Sequence, residues 1–120
     1  MKRTYTKLTP AMVNQRVMVS GWVHSRRDHG GLIFIDLRDH TGIVQLVANP
    51  ESPDAFACAE ELRDEYVIRA EGQVRERASD LQNDKIPTGA IEIAVDSIVI
   101  LNRAETLPIQ PFAEENRAGE

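Results

Sequence analysis

From residue 16 onward, apolar and polar residues alternate with a period of two in several separate runs, the mark of strands with one buried face. Between Arg16 and Arg27, Val17, Val19, Gly21 and Val23 fall on one face and Met18, Ser20, Trp22 and His24 on the other. Asp28-His29-Gly30-Gly31 supplies turn chemistry, after which Leu32 to Arg38 alternates again with Ile33, Ile35 and Leu37 together. These two runs predict a hairpin. A second turn at Asp39-His40-Thr41-Gly42 leads into a third strand from Ile43 to Asn49. The period then changes. Ser52-Pro53-Asp54 combines a capping serine, a proline at the first helical position and an acid at the positive end, and Phe56, Ala59 and Leu62 recur at helical spacing. A helix ending near Arg63 is expected. Tyr66 to Arg77 reads as strand four, with Ile68, Ala70, Gly72 and Val74 opposite Arg69, Glu71, Gln73, Arg75 and Arg77. The polar stretch from Ala78 to Gly89 is a predicted loop, and Ala90 to Leu101 a fifth strand. A change of apolar parity between Val95 and Ile98 predicts a bulge near Asp96-Ser97. Upstream, Thr9-Pro10 reads as an N-cap and first helical position, so one short helical turn should precede strand one.

The order strand, strand, strand, helix, strand, strand predicts an all-β fold with one helix: a five-stranded OB-fold barrel whose helix joins strands three and four and closes one end. The barrel is expected over residues 1–104. Residues 105–120 carry Pro108, Pro111 and several acids without periodicity, which reads as a linker leaving the domain.

Composition narrows the setting. The 42% hydrophobic and 28% charged residues among 120 are those of one ordinary globular domain. No apolar stretch approaches the ~18 residues needed to span a bilayer, and the polar start lacks the apolar core of a signal peptide. Cys58 is the only cysteine, so an intrachain disulfide is impossible, and no Asn-x-Ser/Thr acceptor occurs. A reducing cytoplasm is the expected location, with no membrane partner. A net charge of −5 argues against coating nucleic acid by bulk electrostatics, so any such contact must be local. Arg16, Arg26, Arg27 and Arg38 place the basic surface in the first third of the chain.

Strand two should place Phe34 on the outward face, near where Gln45 points outward from strand three. An exposed aromatic ring on a barrel is a stacking platform for an unpaired base, and a glutamine amide matches a base edge. The plainer alternatives are a core Phe34 and a solvated Gln45. Arg26 and Arg27 beside the Gly-Gly turn are placed to bracket a phosphate or stack on a base, and Arg75 and Arg77 extend the same rim; singly, each would read as a solvated edge residue. His24, His29 and His40 show no paired ligand spacing, so no metal site is predicted. Cys58 reads as a small core residue, Asp36 and Asp39 as turn caps and ion-pair partners, and no catalytic motif is present.

The run Gly21-Trp22-Val23-His24-Ser25-Arg26-Arg27-Asp28-His29-Gly30-Gly31-Leu32-Ile33-Phe34-Ile35-Asp36-Leu37-Arg38-Asp39, followed by Gly42-Ile43-Val44-Gln45, closely resembles the N-terminal anticodon-binding domain of bacterial-type aspartyl-tRNA synthetases. The likeness continues through Glu65-Tyr66-Val67, Gly72-Gln73-Val74-Arg75-Glu76-Arg77, Thr88-Gly89-Ala90-Ile91-Glu92-Ile93 and Ala104-Glu105-Thr106-Leu107-Pro108. The resemblance implies a class II synthetase whose barrel recognises the aspartate anticodon, while a separate, larger domain activates aspartate with ATP and Mg2+. That domain has no counterpart in these 120 residues, so the chain reads as a non-catalytic fragment of a longer ligase that dimerises through its catalytic domain. No cofactor is expected in the fragment itself, which would be a monomer.

By the same resemblance, Phe34 stacks on the middle anticodon base, Gln45 reads base edges, and Arg27 and Arg77 contact the anticodon loop. His29 occupies a turn position where the family varies, some members having leucine, and is expected to influence whether asparagine tRNA is accepted beside aspartate tRNA. The rival readings are the equivalent domain of the asparaginyl or lysyl enzymes and a freestanding module for single-stranded nucleic acid or a protein partner.

Overall fold

The computed structural model describes residues 3–78 and 88–103. A 3₁₀ helix (Thr6–Met12) is followed by β1 (Arg16–His29), β2 (Leu32–Asp39), β3 (Gly42–Ala48), α1 (Pro53–Glu61), β4 (Val67–Glu76) and β5 (Ile91–Asn102). The strands close a barrel in the order β1-β2-β3-β5-β4, with β3 and β5 parallel and the other pairs antiparallel. This is the predicted five-stranded OB-fold, with its helix between strands three and four. The predicted linker and most of the predicted loop (residues 79–87) lie outside the described residues.

Alternation works because each strand buries one face. Val17, Val19, Val23, Ile33, Ile35, Leu37, Leu46, Ile68, Val74 and Ile93 are all at most 2% exposed and fill the barrel. Ala55 and Ala59 bury the inner side of α1 against them, and Leu62 does the same just past the helix end. Gly30 and Gly31 take φ of +62° and +82°, the left-handed conformation that lets a two-residue turn join β1 to β2 without splaying them. At Gly72 the reason for glycine is space: a Cβ there would overlap the Ala94 carbonyl of β5. The bulge in β5 falls at Asp96, since Glu71 pairs with Ser97 but Gly72 with Val95.

Two local expectations are corrected. Thr9 does not cap the first helix, which starts earlier, at Thr6, and carries Pro10 inside it. Its start is set from a distance: the Asp39 carboxylate accepts the Thr6 N–H at 2.9 Å, while the Thr9 hydroxyl donates back to Thr6 O at 2.7 Å. Ser52 occupies the N-cap of α1 without a side-chain capping bond, because its backbone (φ −112°, ψ 80°) lies outside the usual capping geometry.

A bulge not anticipated from the sequence decides how the site is built. β1 skips one residue relative to β2 at His24, so that Val23 pairs with Leu37 but Ser25 with Asp36. The skip reverses the parity of everything after it. Ser25 and Arg27 turn to the outer face with Asp36 and Phe34, while Arg26 pairs with the buried Ile35 on the inner side.

Candidate nucleic-acid interface

Five of the residues singled out in the sequence, Arg27, His29, Phe34, Gln45 and Arg77, line one cleft of about 620 Å³, together with Asp28 and Glu92. Phe34 sits on the outer face of β2, half-buried and outside the core. Its cross-strand partners are Arg27 and Val47. The ring is therefore supported from beneath yet open to the cleft, as stacking requires.

A chain of polar side chains crosses the floor beside it. Ser25 Oγ donates to Asp36 Oδ2 at 2.8 Å, and the Arg27 guanidinium donates to the same oxygen at 2.7 Å and to Gln45 Oε1 at 3.0 Å. Gln45 Nε2 donates to Glu92 Oε1 at 3.1 Å, and Arg75 Nε donates to Glu92 Oε2 at 2.7 Å. Cross-strand register builds this row, pairing Ser25 with Asp36, Asp36 with Gln45, and Glu92 with Arg75. The cation on one side and the carboxylate on the other fix the Gln45 amide, because the flipped amide would set N–H against guanidinium and oxygen against carboxylate.

The plainer alternative of a solvated Gln45 does not hold: it is 9% exposed and already bonded at both ends. One N–H and one lone pair of its amide remain. Arg77 stands at the rim, its Nε donating to Ile91 O at 3.0 Å. Burial pulls its guanidinium below the usual arginine value; Glu92 and Asp36 oppose that lowering, and Arg27 adds to it. Arg77 remains a cation at neutral pH.

Two predicted residues do not join the cleft. Arg26, turned inward by the bulge, donates to the carbonyls of Ala59 (3.2 Å) and Glu60 (2.6 Å) at the C-terminal end of α1 and pairs with Asp28. It adds a second donor to the Ala59 carbonyl, which already accepts the Leu62 N–H, and supplies one to Glu60 at the helix end. Arg75 reaches the row only through Glu92 and lines a separate, smaller pocket with Arg16 and Asp96. Glu92 was missed in the sequence, although an acid between the inward Ile91 and Ile93 is by parity an outward residue of the barrel.

Asp36 and Asp39 behave as expected, one pairing with Arg27 and the other capping the β2–β3 turn. Cys58 packs half-buried at the edge of the core, where burial pushes its thiol up, Glu61 adds to the rise and Arg103 opposes it. No helix among the described residues is long and apolar enough to cross a membrane.

Residues 17–101 match the family described as the OB-fold nucleic acid binding domain, of the tRNA anticodon type. Over 108 residues, 90% of this chain, the sequence is 51% identical to the aspartate–tRNA(Asp/Asn) ligase of Jannaschia sp. (strain CCS1), of which the match covers 18%. The chain thus spans about a fifth of the length of such relatives. Among solved structures, the asparaginyl-tRNA synthetase from Pyrococcus horikoshii complexed with asparaginyl-adenylate is similar at a TM-score of 0.73 and 26% identity, over 92% of this chain and 24% of that one. OBody AM3L15 bound to hen egg-white lysozyme is similar at a TM-score of 0.74 and 26% identity, over 92% of this chain and 98% of that one, so a barrel of this topology exists there as nearly a whole chain.

Proposed function

The chain belongs to the OB-fold nucleic acid binding domain family of the tRNA anticodon type, and from that premise we propose that it binds the anticodon loop of aspartate tRNA as the non-catalytic domain of a longer aspartate–tRNA ligase. The observation that carries this reading is the convergence of an open aromatic ring, a half-satisfied amide and two arginines in one cleft of a size that takes a nucleobase. Phe34 stacks on the middle base, where the π-face supplies about 1 to 3 kcal/mol. Gln45, held in one orientation, offers its remaining N–H and lone pair to a base edge. Arg27 and Arg77 face Asp28 and Glu92 across the same space, so cationic and anionic side chains balance there and a phosphate gains little. Carboxylate acceptors favour the amino and imino groups of bases, so the cleft is chemically a base reader with phosphates left to its margins.

Aspartate activation, ATP and Mg2+ belong, in this reading, to the rest of the longer protein, and the work takes place in the cytoplasm where charged tRNA is used. The name tRNA(Asp/Asn) carried by the relatives supports acceptance of asparagine tRNA as well. His29 lines the cleft at the hairpin turn and is the residue we assign to tolerance of the third anticodon base. Stem-loops with GUC and GUU anticodons, bound to wild type and to His29→Leu, test this assignment; an unchanged ratio removes His29 from it.

The site itself is tested by following backbone amide resonances of the 120-residue chain as an aspartate anticodon stem-loop is added. Shifts should concentrate at Arg27 to Phe34, Gln45 and Glu92. Shifts confined to α1, with the cleft silent, would refute the reading.

A further inference from the structure

We infer that the far end of β2 carries a second RNA contact: Arg3 at the Tyr5–His40 ring pair, Lys7 on the first helix and Arg38 on β2 take the phosphate backbone of the stem below the loop held in the cleft. This rests on the cleft receiving the loop of an RNA hairpin. The Arg3 guanidinium lies 5.0 Å from the centre of the Tyr5 ring, and that ring meets His40 edge-on at 4.8 Å. The segment is tied down on both sides: Thr4 N–H donates to Met18 O at 2.7 Å, and Lys7 N–H donates to Thr41 Oγ1 at 3.3 Å. Arg3, Tyr5, Lys7 and His40 are exposed.

No acid cancels these cations, a condition that Arg63 and Arg69 share among the described residues. In and around the cleft, Arg27 pairs with Asp36 and Arg75 with Glu92; elsewhere Arg16 pairs with Asp96 and Arg103 with Glu61. Among the described residues no carboxylate lies within ion-pair distance of Arg3, Lys7 or Arg38. Asp39, next to Arg38 in the chain, is 4% exposed and spends its oxygens on Thr6, Thr41 and Gly42. On a chain of net charge −5, an uncancelled positive patch beside exposed rings suits a polyanion.

Phe34, Asp36 and Arg38 also lie on one outward line of β2. At about 3.4 Å per residue, Arg38 stands about 14 Å from Phe34, and His40 lies beyond it. The register Ile43, Arg38, Trp22, Val67, Asn102 puts this patch at the end of the barrel where β5 finishes.

The test compares wild type with the triple variant Arg3→Gln, Lys7→Gln, Arg38→Gln on two RNAs, an anticodon stem-loop and a single-stranded heptamer of the same loop sequence. The triple variant should bind the stem-loop about ten-fold more weakly, with the slope of log affinity against log salt reduced by about 2 to 3, and the heptamer as wild type does. Unchanged stem-loop affinity and slope, or equal losses on both RNAs, overturn the proposal. Circular dichroism and urea unfolding establish that the variant folds. Phe34→Ala separates the two readings: it should weaken both RNAs alike, and no effect on either would refute the cleft while leaving the triple variant to be judged on the stem alone.

Discussion

Asp39→Asn should cost this domain a large share of its stability through a single atom. The carboxylate lies under the 3₁₀ helix, 4% exposed, and accepts five hydrogen bonds. Oδ1 takes Thr41 N (2.8 Å), Thr41 Oγ1 (2.6 Å), Thr6 Oγ1 (2.9 Å) and Gly42 N (3.1 Å), and Oδ2 takes Thr6 N (2.9 Å). In asparagine the oxygen goes to the site with four donors, leaving an amide NH2 facing the Thr6 N–H. One buried N–H is orphaned, at about 1 to 3 kcal/mol, and the remaining bonds lose their charge assistance. The sum is about 2 to 4 kcal/mol, or a fall in Tm of about 10 °C or more for a domain of this size.

The same site sets a pH dependence. Burial alone would push the Asp39 carboxyl up, but the bonds from Thr41 and Thr6 together outweigh it and hold it below the ordinary carboxylate value. A carboxyl lowered in the folded state contributes stability that is fully present above its unfolded pKa of about 3.9 and is lost as pH falls through the folded value. The gap between wild type and Asp39→Asn should therefore be constant from about pH 5 upward and shrink below about pH 4. Urea unfolding at pH 7 and pH 3 measures both effects. A loss under about 1 kcal/mol at pH 7, or a gap that does not narrow at pH 3, would refute the account of this carboxylate.

Phe34→Ala should weaken binding of an aspartate anticodon stem-loop by about 1 to 3 kcal/mol with the circular dichroism spectrum unchanged, because the ring lies outside the core; an unfolded variant would show that it supports the fold instead. Arg26 and Arg27 should separate cleanly. Arg27→Ala lowers RNA affinity, whereas Arg26→Ala leaves it unchanged and costs about 1 to 2 kcal/mol of stability by removing the charged bonds to the Ala59 and Glu60 carbonyls, as RNA titration and urea unfolding on the same samples will report. Gly72→Ala should destabilise by about 3 kcal/mol or more, since its methyl would overlap the Ala94 carbonyl and force β4 from β5; a thermal melt within a few degrees of wild type would contradict this.

The barrel was legible because burying one face imposes strict alternation, and even the bulge at Asp96 left a trace in the shift from Val95 to Ile98. The bulge at His24 left none. From Ser25 to Asp28 every residue is polar, so no apolar marker records the change of parity, and nothing distinguished the inward Arg26 from the outward Arg27. The first helix misled for a different reason: Thr9-Pro10 has the local form of a helix start, but the effective cap is Asp39, 33 residues from Thr6. Tertiary capping has no local signature. The outward face of Gln45 was legible but its cover was not, because a residue on a strand paired on both sides is covered by its neighbours' long side chains, here those of Arg27 and Glu92.

The most direct test of the central claim is fluorescence anisotropy of a labelled aspartate anticodon stem-loop titrated with the 120-residue chain, beside the same hairpin with its middle base changed, at two salt concentrations. A cleft that stacks and reads bases predicts a preference of about ten-fold or more for the native loop that persists as salt rises, while both affinities fall. Equal binding of the two hairpins, lost together at the higher salt, would contradict it and reduce the barrel to a non-selective polyanion binder.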